Sequence, residues 1–218
     1  MSRILSVDGD WQALIARALA IVPRPIAVDE RLMPRWSSGP ELPPIDRATF
    51  APARAAATLL LVYPLGSELV IPLTVRRGDL PDHPGEISLP GGAVDPGDRD
   101  LEATALREAA EEVGLAADGV RLLGRLDPVW IPVSNFELVP IVATREVAPT
   151  LAPEEAEVER LIEFPLAQLL NEEAITEEDI EVRGYVLRAG VYRWGDIRVW
   201  GATARTLGML GTVLGAID

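Results

Sequence analysis

Cysteine is absent from this chain, and histidine occurs once, at position 83. The lack of cysteine excludes thiol nucleophiles and zinc fingers, and a serine–histidine–aspartate triad would need His83 itself. His83 lies in the segment PDHPG, which is typical of a turn. We therefore expect a surface loop residue there, and acid–base chemistry must come from carboxylates.

Long apolar runs are also missing, since no stretch reaches the roughly 18 apolar residues of a membrane-spanning helix. Residues 1–22 contain several charged side chains and so lack a clean signal-peptide core. Basic residues are few, with 20 Lys and Arg against 34 Asp and Glu, a net charge of −14. Binding to nucleic acid or to an anionic membrane needs clustered positive charge. We expect a cytoplasmic protein with neither as a partner.

The chain has 218 residues and is 48% hydrophobic, which is enough for one domain with a proper core. Residues 1–54 are predicted to be an extension packed on that domain. The extension begins with a helix that Asp10 would cap and that ends before Pro23, and a proline-rich segment follows. Residues 55–218 form the main domain.

Several segments of the main domain have the apolar pattern of strands. Residues 55–64 and 68–75 are predicted to form a hairpin, and 120–130 and 136–144 to form two further strands. Two strands around Gly195 and Asp196 and a helix of small residues end the chain. We expect Trp130 and Phe136 to pack in the core.

The stretch from Leu89 to Leu115 predicts a strong helix behind a Gly-Gly turn, with Gly114 as its C-terminal stop. Helical spacing places Glu108, Glu111 and Glu112 on one face and an apolar stripe on the opposite face. The stripe consists of Leu106, Ala109, Ala110 and Val113. Like charges at this spacing cost roughly 0.2–0.5 kcal/mol per pair, which a hard divalent cation would reverse. A solvated acidic face remains the alternative.

The order Gly92, Arg107-Glu108, Glu111-Glu112 and Gly114-Leu115 resembles the Nudix box, G-x5-E-x7-R-E-U-x-E-E-x-G-U, where U is apolar. Asp98 stands where the first glutamate belongs, and eight residues rather than seven separate it from Arg107. The resemblance implies a Nudix-type α/β/α sandwich with a mixed β-sheet. It also implies hydrolysis of a nucleoside diphosphate linked to another moiety. Mg²⁺ or Mn²⁺ would be held by Glu108, Glu111, Glu112 and the Gly92 carbonyl, while Arg107 would orient a box glutamate.

A second resemblance is to the leader of the coenzyme A diphosphatase branch, L-L-T-x-R-[SA]-x3-R-x3-G-x3-F-P-G-G. The chain matches it at Leu73, Thr74, Arg76, Gly85, Pro90, Gly91 and Gly92, and departs from it at Pro72, Arg77, Pro81 and Leu89. The branch implies cleavage of coenzyme A or acyl-coenzyme A to 3′,5′-ADP and (acyl-)4′-phosphopantetheine. Arg76 and Arg77 are the expected substrate contacts. The alternative is that both pair with surface acids such as Asp79 and Asp82.

The stretch around Glu157 and Pro165 resembles the branch's E-V-x-E-V-x-x-P-L segment. In the wider family a loop glutamate outside the box supplies a further metal ligand or the base. Glu157 is the candidate here, and Glu154 or Glu155 could serve instead. A plain acidic loop leading into a helix is the competing interpretation.

Three functions other than coenzyme A hydrolysis stay open. The first is a Nudix hydrolase acting on ADP-ribose, a dinucleotide or an oxidised nucleotide. The second is a catalytically silent Nudix-like binding module, and the third is an acidic helical surface without a site. The expected partner is a small-molecule nucleotide substrate, and a homodimer is left open.

Overall fold

The computed structural model describes residues 7–38, 47–79, 85–182 and 184–217. Its helices are α1 (Trp11–Ile21), α2 (Leu101–Val113) and α3 (Gly201–Gly215). Its strands are β1 (Arg35–Ser38), β2 (Arg54–Leu65), β3 (Glu68–Arg76), β4 (Ile87–Ser88), β5 (Gly91–Ala93), β6 (Arg121–Arg125), β7 (Val129–Ile131), β8 (Phe136–Thr144), β9 (Val158–Pro165), β10 (Ile175–Val182), β11 (Tyr185–Trp194) and β12 (Ile197–Val199). His83 and Asp82 lie outside the described residues, so the predictions for them stay predictions.

The central sheet has the strand order β4-β3-β2-β8-β6. Strands β2 and β8 run parallel, whereas β2 pairs antiparallel with β3, and β8 with β6. Strand β9 covers the outer edge of β3, and β7 pairs with the beginning of β8. The sheet is therefore mixed, and the expected α/β fold with a large mixed sheet is confirmed.

Strands β2 and β3 form the predicted hairpin but stay paired only near its turn, where Tyr63 faces Val70. Further along, β4 pairs with β3 and β5 pairs with β2, so residues 87–93 occupy the gap between the two strands. The chain then leaves the gap and enters α2. This split of the hairpin places Gly91 and Gly92 opposite Thr58 and Ala57, in the interior of the sheet.

Helices cover both faces of the central sheet. Helix α2 packs on one face, where Ala105, Ala109 and Val113 join Leu59 and Leu61 of β2 in one apolar cluster. Helices α1 and α3 pack on the other face, in a larger cluster that includes alternate residues of the same strands. Because side chains of a strand alternate between faces, the sheet separates the two clusters. The arrangement is an α/β/α sandwich.

The buried face of α2 differs from the sequence prediction at two positions. Ala109 and Val113 are buried as expected, but Ala110 is exposed and Leu106 is only partly buried. Ala105, which was not predicted, takes their place in the core. The buried face of α2 is thus rotated about the helix axis by about one residue from the predicted face, and Glu112 lies on its buried side.

Helix α1 has the predicted extent, but Asp10 does not cap it as expected. Its side chain makes no capping hydrogen bond, and only its backbone carbonyl accepts a bond, from the Leu14 N–H at 3.0 Å. Ile15 and Ala18 are fully buried in the cluster that also contains α3 side chains. The helix therefore shares a core with the main domain through apolar contacts.

A second, smaller sheet has the order β1-β11-β10, with β12 paired to β11. Strand β1 arises from the proline-rich segment and was not predicted. The predicted strand 120–130 is two strands, β6 and β7, because the chain turns at residues 126–128. Trp130 and Phe136 are half-buried rather than core residues. Trp130 meets the edge of Phe50, and the Arg54 guanidinium lies 4.0 Å from the centre of the Phe136 ring.

The helices in the described part of the chain are too short or too polar to cross a membrane.

Candidate active site

The site lies where the Gly-Gly turn in the sheet gap meets the polar side of α2. Asp100 starts this helix, because its carboxylate accepts a hydrogen bond from the Ala103 N–H at 2.8 Å. Gly114 ends it in the left-handed conformation, at φ +64°, as the sequence predicts. The helix is therefore fixed at both ends, and its direction places Glu108 and Glu112 next to β5.

Glu108 fills the space beside Gly92. A Cβ atom added to Gly92 would lie 2.5 Å from both the Cδ and the Oε1 of Glu108. The backbone of Gly92 does not need glycine for its conformation, because its φ is outside the left-handed region. Glycine is required here because the carboxylate approaches the turn closely. Gly92 thus creates room for an acidic side chain at the position where the sequence predicts a metal ligand.

Glu112 is almost fully buried, at 7% exposure, although the sequence predicts it on a solvent-facing side. Its Oε2 accepts one long hydrogen bond, from the Gly91 N–H at 3.3 Å. Burial raises the pKa of Glu112 to about 7, and repulsion from Glu108 and Glu157 adds to the rise. The Gly91 hydrogen bond and the positive charge of Arg76 oppose it. Burial disfavours the charged form of this carboxylate, so the site favours a proton or a cation.

Arg107 connects the acidic groups of the box. Its Nε and Nη2 donate to the two carboxylate oxygens of Asp98, both at 3.0 Å, and Nη2 also donates to the Ala93 carbonyl at 3.0 Å. Its Nη1 lies 2.9 Å from Oε1 of Glu108 and 2.9 Å from Oε2 of Glu111. The guanidinium therefore contacts two box glutamates at once, in the geometry expected of a residue that orients them.

Asp98 is the partner of Arg107, a role that the sequence reasoning did not assign. Its side chain is only 6% exposed and also accepts bonds from the Asp95 N–H at 2.9 Å and the Thr104 hydroxyl at 2.8 Å. The guanidinium of Arg107 and these donors hold the pKa of Asp98 well below its usual range. The sequence signal for this role is the position of Asp98 in the box, where the Nudix pattern has a glutamate.

Glu111 is the most open of the three box glutamates, because its side chain is 60% exposed. In the described ranges no three acidic, histidine or cysteine side chains form a ready-made metal cage. The donors nevertheless suit a hard cation, since all are carboxylate or carbonyl oxygens and Glu108 and Glu112 are held close to Gly91 and Gly92. Such a cation would complete its coordination with water and substrate, as Mg²⁺ usually does.

Glu157 lies in the loop formed by residues 154–157, which leads into β9 and not into the helix that the competing interpretation required. The side chain is exposed. Burial is the main cause of a raised pKa at Glu108, and the negative charge of Glu157 contributes to it, as it does at Glu112. The structure therefore brings Glu157 into the electrostatic field of the two box glutamates nearest to β5.

The two leader arginines differ in their surroundings. Arg76 ends β3, and its charge acts on Glu112; its Nε is buried and has no acceptor among the described residues. Arg77 is held by protein groups on all three nitrogens. Its Nε and Nη2 donate to Asp79 at 2.8 and 2.7 Å, and Nη1 donates to the Glu155 carbonyl at 2.9 Å. The pairing with Asp79 is the alternative that the sequence left open for Arg77.

Comparison with known proteins shows the family of the chain. A family model described as the NUDIX domain matches residues 53–183. A protein described as uncharacterized Nudix hydrolase NudL, from Photorhabdus laumondii, is 33% identical over 170 residues, which are 78% of this chain and 90% of that protein. The protein of the same description from Pectobacterium atrosepticum is 34% identical over 171 residues, 78% of this chain and 87% of that protein. Nudix hydrolase 22 of Arabidopsis thaliana is 33% identical over 173 residues, 76% of this chain and 56% of that protein.

Among solved structures, the NUDIX domain of Shewanella oneidensis NrtR, crystallised with ADP ribose, matches 58% of this chain and 82% of its own. Its sequence identity is 23%, and its TM-score is 0.43. The family model covers more than half of the chain, and bacterial relatives match most of their own length. The chain belongs to the Nudix hydrolase family and is a pyrophosphohydrolase.

Proposed function

We propose that this Nudix pyrophosphohydrolase cleaves coenzyme A or acyl-coenzyme A to 3′,5′-ADP and (acyl-)4′-phosphopantetheine, with Mg²⁺ or Mn²⁺ bound at the box. One observation supports the choice of substrate: the charge of Arg76 acts on Glu112, and its buried Nε has no acceptor among the described residues. Another leader residue, Thr74, donates from its hydroxyl to the Ser88 carbonyl at 3.2 Å. That bond supports the strand from which Arg76 extends.

In this reaction a nucleophile attacks a pyrophosphate linkage, whose negative charge repels it. A bound divalent cation supplies charge neutralisation and acidifies a water molecule. The protein holds Glu108 against Gly92 and Arg107 against Asp98. It also keeps Glu112 buried, where little water is available to stabilise a charged carboxylate and a cation would do so. Glu157 is our candidate for the base or for a further ligand, because its charge reaches Glu108 and Glu112.

Arg76 supports recognition of a phosphate group. A guanidinium can donate two parallel hydrogen bonds to a phosphate, and charged hydrogen bonds contribute roughly 1.5–3 kcal/mol each. A single such contact corresponds to a preference of about tenfold or more. The 3′-phosphate of coenzyme A is a group that ADP-ribose lacks. Arg76 is suited to this contact because, unlike Arg77, it has no acidic partner in the described structure that would hold its Nε.

ADP-ribose is the second candidate substrate. The observation in its favour is Pro81, which stands where the coenzyme A leader has a second arginine. Without that arginine the chain has less positive charge available for a third phosphate. Dinucleotides and oxidised nucleotides belong to the same alternative, and all of them would use the same box residues.

The test is a substrate panel with identification of the products by mass. We expect kcat/KM to be at least tenfold higher for coenzyme A than for dephospho-coenzyme A and ADP-ribose, and Arg76→Ala to remove most of that difference. Arg121→Ala is a suitable control, because Arg121 is an exposed arginine on β6, a strand remote from the leader. Equal values for coenzyme A and its dephospho form would refute the 3′-phosphate contact. A preference for ADP-ribose would favour the second candidate while leaving the cation requirement intact.

A further inference from the structure

Arg77 departs from the coenzyme A leader, which has serine or alanine at that position. Its guanidinium could in principle contact the substrate, but the contacts point elsewhere. It binds Asp79 through two nitrogens and the Glu155 carbonyl through the third. A substrate phosphate would have to displace Asp79, whose side chain already matches the guanidinium in charge and geometry.

The Glu155 contact belongs to a set that fixes the 154–157 loop at both ends. At one end, the Glu154 N–H donates to the Glu112 carbonyl at 2.8 Å, so this end of the loop is attached to the last turn of α2. At the other end, the Arg77 N–H donates to the Glu157 carbonyl at 3.0 Å. The loop therefore spans from the helix that carries the box glutamates to the end of β3.

The pairing of β3 and β9 changes register next to this loop. Val75 faces Arg160, but Arg76 faces Val158, so one extra residue of β9 is accommodated there. A bulge of this kind redirects the side chains that follow and weakens the local ladder. Residues 154–157 precede this ladder, and the Glu157 and Val158 N–H groups close the loop on the Glu154 carbonyl at 3.0 and 2.8 Å. The side chain of Arg77 supplies an additional attachment at the point where the ladder is irregular.

We propose that Arg77 is a positioning residue, which holds the 154–157 loop against the end of β3 so that the Glu157 carboxylate stays beside Glu108 and Glu112. Asp79 fixes the orientation of the guanidinium, and Nη1 then reaches the Glu155 carbonyl. Arg77 acts on the reaction through Glu157 and not by touching the substrate. This inference rests on the proposed role of Glu157.

The test compares Arg77→Ala, Arg77→Lys, Glu157→Gln and the double variant Arg77→Ala/Glu157→Gln. Kinetic constants are measured with coenzyme A and with ADP-ribose. We expect Arg77→Ala to lower kcat by about 10- to 100-fold with KM within twofold, because a misplaced reacting group costs rate and not substrate binding. Arg77→Lys should recover part of the rate. The double variant should be no slower than Glu157→Gln, because both changes act through one carboxylate.

Arg160→Ala is the matched control. Arg160 is a similarly exposed arginine on β9, close to the loop in sequence, whose side chain pairs with Asp196 at 3.6 Å. Hydrogen exchange of the peptide covering residues 152–158 gives a readout that does not depend on activity. It should become faster in Arg77→Ala and remain unchanged in Arg160→Ala.

Two kinetic results would overturn the inference: a raised KM with unchanged kcat in Arg77→Ala, or multiplying losses in the double variant. Unchanged hydrogen exchange in Arg77→Ala would overturn it as well, whichever substrate the enzyme prefers. Failure of the proposed function looks different, because the wild-type protein would then leave coenzyme A intact while its loop still loosened in Arg77→Ala. Wild-type activity in Glu157→Gln would remove the role of Glu157 and the inference together.

Discussion

Replacing Gly92 by alanine should damage the chemistry while leaving the fold in place. The added Cβ would lie 2.5 Å from Cδ and Oε1 and 2.6 Å from Oε2 of Glu108. Ordinary contacts between heavy atoms need about 3.5 Å, so the carboxylate would have to move by roughly 1 Å. A shift of this size would disturb the contact with Arg107 Nη1, which lies 2.9 Å from Oε1 of Glu108.

The expected losses of activity and stability follow from the displacement of the Glu108 carboxylate. A reacting group displaced by about 1 Å can lose on the order of 100-fold in rate, and we expect a loss of that size in kcat/KM for Gly92→Ala. The atoms that must give way are the far end of a flexible side chain, so the cost to folding is about 0.5–1.5 kcal/mol for an off-rotamer glutamate. For a domain of this size that corresponds to a melting temperature within roughly 6 °C of wild type.

Gly91→Ala is the contrasting variant, because its added Cβ would meet backbone. The Cβ would lie 2.5 Å from the Ala57 carbonyl oxygen and 2.6 Å from Cα of Thr58, both in β2. Strand β2 lies inside the central sheet and cannot shift without disturbing β3 and β8. Overpacking of this kind costs typically about 1–3 kcal/mol and at times more. We therefore expect Gly91→Ala to lose stability first and activity as a consequence.

Both variants are assayed by thermal unfolding, by Mn²⁺ binding with isothermal calorimetry, and by hydrolysis of coenzyme A and ADP-ribose. The expected pattern is weak Mn²⁺ binding with a nearly normal melting temperature for Gly92→Ala, and a clearly lowered melting temperature for Gly91→Ala. Wild-type Mn²⁺ affinity and kcat/KM in Gly92→Ala would show that Glu108 is not a ligand held by the turn. Equal destabilisation by both substitutions would refute the distinction between side-chain and backbone contact.

Three further predictions concern α2. Glu112→Gln should lower kcat by about 100-fold or more with Mg²⁺, and EDTA should abolish wild-type activity; wild-type turnover in Glu112→Gln would contradict the metal assignment. In EDTA, stability should fall by up to about 3 kcal/mol between pH 5 and pH 8, because the raised pKa of Glu112, about 7, stabilises the folded state only while the group is protonated. Melting curves that show no such slope, or an equal slope in Glu112→Gln, would contradict this. Ala109→Asp should cost several kcal/mol in urea unfolding and Leu106→Asp clearly less, since Ala109 is fully buried and Leu106 only partly.

The sequence predicts regular elements well and the sheet gap poorly. The hairpin of β2 and β3 follows from two apolar runs around a short turn, and α2 follows from helical periodicity and a C-terminal glycine. The insertion of residues 87–93 between β2 and β3 depends on long-range pairing, which local patterns do not encode. Strand β1 was missed for the same reason, because its partner β11 is about 150 residues away.

Within the candidate site, spacing predicts which residues meet but not how deeply each is buried. Helical periodicity places Glu108, Glu111 and Glu112 on one side, yet their exposure ranges from an open Glu111 to a buried Glu112. The difference arises because α2 lies with Glu112 toward the gap between β2 and β3. A helix viewed alone has no such gap, so its sequence cannot distinguish a solvated carboxylate from a buried one.

The departure at Asp98 shows how the box keeps its geometry with a different sequence. Aspartate is one carbon shorter than glutamate, and the chain between it and Arg107 is one residue longer than in the Nudix pattern. The turn that precedes Asp98 fixes its position: the Asp98 N–H donates to the Asp95 carbonyl at 2.9 Å, and the Asp98 carboxylate accepts from the Asp95 N–H. From this position both carboxylate oxygens accept from Arg107 at 3.0 Å. Aspartate at this position thus still holds Arg107, whose Nη1 lies 2.9 Å from Oε1 of Glu108.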